Sequence, residues 1–197
     1  MTAASPPPSP PLPSPPPPGL APSSGPLITR LTSALAVRLE FYRAAAGDVG
    51  GTGPAGAVIC VIALVRDAPV IYALSQTMRV WSIALPFIAV AALLRWLAVA
   101  AVAFGLVRLG RVPASYASLL RVLAYADAPT MLLALTPWVA PAWYLPAHIG
   151  LLVWPFVATL VALRAASGAS PARAALLAVP VFLAQQYGLA LIRLLTQ

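Results

Sequence analysis

One cation inside an apolar run is the most chemically pointed feature of this sequence. Arg95 lies near the middle of residues 80–107, a stretch that holds no other charged side chain. A guanidinium at the centre of a hydrocarbon layer costs about 2.5–3.5 kcal/mol on insertion scales and more in simulation, so it needs a partner. Asp67 and Asp127 are the acids within reach. Two chemistries follow from an Arg95–Asp67 or Arg95–Asp127 pair. It could lock helices together, or it could line a polar path for an ion or a small substrate.

The other reactive residue types are sparse and badly placed for catalysis. His148 is the single histidine and has no neighbouring acid or cysteine, so it makes no metal site and reads as an interfacial residue. Cys60 is the single cysteine, which excludes an internal disulfide and a thiolate zinc site. There is no G-x-S-x-G turn, no H-E-x-x-H and no P-loop. Residues 51–56, GTGPAG, do match G-x-G-x-x-G. A dinucleotide site needs those glycines between a strand and a helix, and no strand pattern precedes them, so they read as a joint. The sequence therefore predicts no enzyme, no cofactor and no metal.

The elements that must position Arg95 follow from composition. Of 197 residues, 61% are apolar and 8% charged, and mean hydropathy is +0.91. Soluble domains run at roughly 45–50% apolar and about 25% charged. A chain this short of charge points to an all-α integral membrane helical bundle. Residues 1–26 are different: they hold 12 of the 23 prolines and no charge, and read as a disordered proline-rich tail. Its P-x-x-P spacings would suit a proline-reading domain, although a flexible tether is the simpler expectation.

Residues 27–47 carry Leu27, Leu31, Leu35, Leu39 and Tyr42 along one side, an amphipathic helix expected to lie on the membrane surface. A transmembrane-type domain over 55–197 follows. About 20 mostly apolar residues cross a core of about 30 Å. On that scale the spans fall at about 55–74, within 80–107, and at 128–144, 149–163 and 172–195. The first is interrupted by Arg66, Asp67 and Pro69, and reads as either broken or ending early. Pro86 should kink the second or set off an interfacial turn. Between the second and third spans, residues 114–126 repeat Tyr116, Leu119, Leu120 and Leu123 on one side, with Ser115 placed to cap the first turn. This segment is expected to be a second surface helix, offering Arg121 and Tyr125 as a cytoplasmic face. The sum is about five spans plus amphipathic surface helices.

Charge placement sets the orientation. The chain has 12 arginines, no lysine and four acids, for a net charge of +8. The arginines fall singly between apolar runs, not as the basic stripe a nucleic acid backbone requires, so no nucleic acid partner is expected. With the amino terminus in the cytoplasm, the inner side receives Arg30, Arg38, Arg43, Arg108, Arg111, Arg121, Arg164 and Arg173. The outer side receives Arg79 and Arg193. Residues 137–148 lack any cation and carry Trp138, Trp143 and Tyr144, rings expected at an interface. The carboxyl terminus then lies outside. Lysine-free, Ala/Arg-rich usage points to a GC-rich bacterial genome, hence an inner membrane. Alanine-rich runs allow close helix approach, with Ala91, Ala98 and Ala101 as a candidate interface and homo-oligomers open.

The run SLLRVLAYADAP at 118–129 resembles the segment s-x-x-x-L-L-R-x-x-G-Y-A-x-A-P of the Yip (Ypt-interacting protein) family of small multi-pass membrane proteins. Residues 153–181, VWPFVATLVALRAASGASPARAALLAVPV, are similar to that family's penultimate span, its connector at Leu163-Arg164 and 172–175, and its last span. The likeness covers about half the chain, from Arg95 onward. Ala124 stands where the family usually has glycine, and the acidic D-L-Y-G-P signature of eukaryotic members is missing. The resemblance implies a non-enzymatic protein with a cytoplasmic amino terminus, five spans and an outward carboxyl terminus. Its implied role is to interact with other proteins or organise membranes, with the lipid bilayer and unidentified proteins as partners. The alternative is a small transporter or channel component with Arg95 and an acid in a polar path.

Overall fold

The computed structural model of the chain describes residues 25–75 and 81–195. The proline tail up to residue 24 and Arg79 lie outside the described residues, as do the side chains of Trp81 and Arg193. The described residues form helices and turns, with no strand among them. Seven α-helices follow in order: α1 (Leu27–Leu35), α2 (Leu39–Gly47), α3 (Thr52–Ser75), α4 (Trp81–Leu109), α5 (Tyr116–Ala126), α6 (Pro141–Ser167) and α7 (Pro171–Leu195). Two 3-10 segments interrupt them, a turn at Val49–Gly51 and a long one at Ala128–Trp138. The protein is an all-α, integral multi-pass membrane protein. Four stretches are long and apolar enough to cross a membrane: Val49–Pro69, Ala84–Leu109, Tyr116–Trp138 and Pro141–Ser167.

Tyr116–Trp138 is the central one. Within its most apolar stretch 67% is buried by other helices, against 28–33% for the other three. α3 packs on α4, on α5 and on the Ala128–Trp138 segment, while α6 packs on α5, α7 and α2. Large apolar side chains such as Phe87, Leu94, Leu145, Val153 and Leu176 are exposed on the perimeter, the inverse of a soluble fold and the arrangement a lipid solvent demands.

Several expectations are corrected. The helix over residues 27–47 is two helices. The chain turns at Val37 (φ +49), and both pack onto the bundle, burying Leu31, Ala34, Tyr42 and Ala45. α3 neither breaks nor ends at Arg66-Asp67: it continues through Pro69 to Ser75. α4 likewise runs through Pro86. The break expected at 145–148 sits at Val139-Ala140, and Pro146 and Pro155 are carried inside α6. Residues 114–126 are not a surface helix. Ser115 does cap α5, its Oγ accepting from Ser118 N at 3.1 Å. Yet every residue from Ser118 to Ala126 is buried, because α2, α3, α4 and α6 surround it.

The change from α to 3-10 after Asp127 has a local cause. Pro129 has no N–H to give to the carbonyl of Tyr125, so the α ladder stops there. Thr130 N instead bonds Asp127 O at 2.9 Å, an i to i+3 step, and Thr130 Oγ1 reinforces it at 2.7 Å. A 3-10 run of 11 residues is long for this geometry, whose bonds are poorer than those of an α-helix. Surrounding helices hold it.

Gly56 lies on the α3–α4 seam, where its face meets Trp96 and Leu93. The alanines of α4 that face the bundle are Ala92, Ala100 and Ala103, whereas Ala91, Ala98 and Ala101 face outward. A Cβ at Gly56 would lie 3.5 Å from Trp96 Cζ3, ordinary contact. Gly56→Ala should therefore be neutral or stabilising by up to about 1 kcal/mol, through helix propensity. Gly56→Leu should overpack the seam and cost about 1–3 kcal/mol. Thermal unfolding of the detergent-solubilised chain separates the two; equal losses would count against a close α3–α4 seam.

Candidate functional site

Arg95 projects from the middle of α4 toward the α5 carboxyl end. Its Nη2 donates to Asp127 Oδ2 at 2.7 Å, and its Nη1 donates to the backbone oxygen of Gln185 on α7 at 3.1 Å. Gln185 Nε2 donates to the other carboxylate oxygen, Asp127 Oδ1, at 2.7 Å. An ionised carboxylate only accepts, so the glutamine must turn its amide nitrogen toward Asp127 and its Oε1 away. Oε1 lies 3.3 Å from Thr159 Oγ1 on α6, and that hydroxyl can serve either Oε1 or Pro155 O, 2.8 Å away. Four elements therefore meet at one polar knot: α4, the α5 terminus, α6 and α7.

The knot is enclosed. Asp127 is 1% exposed and Gln185 5%, while the Arg95 side chain is 23% exposed. Trp96 covers one side, its Nε1 donating to Leu120 O at 2.8 Å. The gap beside the knot, bounded by Ile59, Trp96, Val99 and Leu123, measures about 10 Å³. That is room for about one water molecule and excludes an organic substrate in this conformation.

Of the two acids expected to face Arg95, the structure brings Asp127 to it and leaves Asp67 elsewhere. Asp67 pairs with its own neighbour: Arg66 Nε and Nη2 reach the two carboxylate oxygens at 2.8 and 3.0 Å. Adjacent residues on a helix point in different directions, so this pair forms only because the arginine stem curls back. It neutralises both charges at the end of the first membrane-length stretch, which is how α3 tolerates them.

Arg121 and Tyr125 are not the exposed face expected of them; both are buried, at 7% and 1% exposure. The polar side of α5 faces α2 rather than water. Arg121 Nη2 donates to Ala46 O at 2.6 Å, placing a cation at the carboxyl end of α2, where carbonyls lack helical partners. Tyr42 Oη lies 3.3 Å from Ala34 O and 3.4 Å from Tyr125 O, the latter a carbonyl that Pro129 leaves without an α-helical donor. Trp154 Nε1 donates to Leu35 O, the last residue of α1, at 3.1 Å. Side chains of α2, α5 and α6 thus donate to the last carbonyls of both short helices.

No family model matches this chain, and no curated protein or solved structure matches it. The site is therefore read from its geometry. Among the described residues no group of three or more His, Cys, Asp or Glu is placed to hold a metal. Cys60 is half-buried, and His148 stacks on Tyr144 with ring centroids 5.8 Å apart. The GTGPAG glycines open α3 after a turn at Asp48, with Gly51 N bonded to Asp48 O at 2.9 Å, and no strand precedes them among the described residues.

Sequence reasoning missed Gln185 and Thr159, and it set Tyr42 on a membrane-surface face where the structure buries it in the bundle. Gln185 was the most accessible of the three. With Gln186 it is a polar interruption in the apolar run of α7, and polar side chains inside membrane helices carry the same warning as charged ones.

Proposed function

We propose that this chain is a non-enzymatic, Yip-type scaffold of the bacterial inner membrane, with an interaction or membrane-organising role. The observation that carries the reading is the closure of the Arg95 knot. Arg95, Asp127, Gln185 and Thr159 bond to one another across four elements, and the adjoining gap admits about one water. α7, at 25 residues, is about 37 Å long, enough for a fifth crossing. Five crossings would leave the two termini on opposite sides, and the arginine distribution favours the amino terminus in the cytoplasm.

One observation favours the transporter reading instead. The central stretch changes from α to 3-10 geometry at its acid, and interrupted helices with charged groups at the break are how many transporters build a midplane site. Flux across vesicles holding the reconstituted wild-type chain decides between them. The scaffold reading expects sodium, proton, chloride and amino-acid flux no greater than in protein-free vesicles. A flux above that background which Arg95→Ala abolishes, with helical content retained, would sink it. Reporters on both termini check the crossing number separately: a carboxyl terminus found in the cytoplasm contradicts five spans.

A further inference from the structure

Two of the four acids are used up inside the membrane-length stretches, by Arg66 and Arg95. What remains includes a group of arginines gathered at one end. α4 ends at Leu109, α5 begins at Tyr116, α6 ends at Ser167 and α7 begins at Pro171, so consecutive antiparallel helices bring these four termini to one end of the bundle. Arg108 and Arg111 lie there, as do Arg164 and Arg173, which the tight turn at Gly168 (φ +64) places on either side of the α6–α7 junction. All are exposed except Arg164, which is half-buried. Among the described residues none of the four has a carboxylate partner; Arg108 instead folds over Phe104, 5.0 Å from the ring centre.

The junction between the 3-10 segment and α6 is different in kind. No charged residue occurs between Asp127 and Arg164. That turn instead exposes Trp138 and Trp143. A group of cations without carboxylate partners, made wholly of arginine, is complementary to phosphate. The guanidinium fork bonds two phosphate oxygens at once, where an ammonium acts as a point charge. These arginines border lipid-facing helices, so the phosphate within reach is that of the surrounding leaflet.

We propose that the arginine-bearing end is a binding surface for anionic phospholipid headgroups, gathered from α4, the turn that follows it, α6 and α7. This rests on the multi-pass fold and not on the scaffold reading. The full-length chain is placed in vesicles of equal phosphatidylglycerol and phosphatidylcholine, then extracted, and its retained lipid is weighed by native mass spectrometry. The expected result is phosphatidylglycerol enriched about fivefold or more, a ratio that falls as salt is raised. The combined variant Arg111→Gln, Arg164→Gln, Arg173→Gln should return to the ratio of the mixture, while Arg→Lys at the same positions, which keeps the charge and loses the fork, should keep only part of the enrichment. Millimolar inorganic phosphate should not displace the lipid. Equal retention of both lipids by the wild type overturns the proposal. So does enrichment that survives the glutamine substitutions, or displacement by free phosphate. Should the glutamine variant fail to fold, the wild-type ratio against salt still decides, since a salt-independent ratio is incompatible with headgroup pairing.

Discussion

Asp127→Ala is expected to be the most damaging single substitution in the bundle, costing about 3–5 kcal/mol. The loss is not the worth of one ion pair. Removing the carboxylate strands the Arg95 guanidinium inside a membrane-length helix and leaves the Gln185 amide without its acceptor, two separate desolvation penalties. Asp127→Asn should be milder, because a side-chain carbonyl still accepts one of the two bonds. Replacing both charges together, Arg95→Met with Asp127→Leu, should recover much of the loss, since a buried pair is often matched by apolar residues of similar volume. Thermal unfolding of the four proteins in one detergent measures all of this. A double variant no more stable than Asp127→Ala would mean that the knot contributes more than charge neutralisation, and would strengthen the case for a functional site. An Asp127→Ala protein as stable as the wild type would show that Arg95 reaches water in the folded chain.

How much of this was legible in the residues depends on what each signal encodes. Arg95 stood out because one charge in an apolar run is expensive, and cost alone narrowed its partner to Asp67 or Asp127. Choosing between them needed the fold: Arg66 occupies Asp67 from the adjacent position, which no spacing rule anticipates. α5 shows the opposite failure. Its periodicity set Arg121 and Tyr125 apart from Leu119, Leu120 and Leu123, but a helical period says which residues share a face and not what that face meets. Here Arg121 meets the Ala46 carbonyl of α2, and the polar face is buried against other helices. The spans were legible by mass and blurred by proline. The gap left between the spans at 128–144 and 149–163 falls inside α6, a long helix that carries Pro146 and Pro155 with support from its neighbours. The 3-10 segment was the least legible, because it depends on Pro129 cancelling one α-ladder bond while the surrounding helices hold the result.

Tyr42→Ala is expected to release the amino-terminal helices from the bundle at a cost of about 3–5 kcal/mol, the usual range for truncating a large buried ring. Tyr42 is fully buried, and its ring stands edge-on to Phe41 at 5.5 Å, while Phe41 is edge-on to Tyr125 at 5.1 Å. This chain of rings is what fastens α2 to α5; Arg121 and Trp154 fasten the helix ends. Limited proteolysis around residues 47–51, slow in the wild type, should accelerate in Tyr42→Ala while the α3–α7 core stays resistant. Tyr42→Phe keeps the ring and loses only the hydroxyl, so it should cost about 1 kcal/mol. Burial raises the Tyr42 phenol well above its ordinary value, because the interior disfavours the phenolate. The folded pKa therefore exceeds the unfolded one of about 10, and the neutral phenol's contribution is whole below that pH. It is lost progressively as pH climbs from about 10 toward the folded value. The wild type should thus lose stability above pH of about 10 faster than Tyr42→Phe does. Superimposable alkaline profiles would mean that Tyr42 ionises freely, and that the α1–α2 unit is already detached in solution.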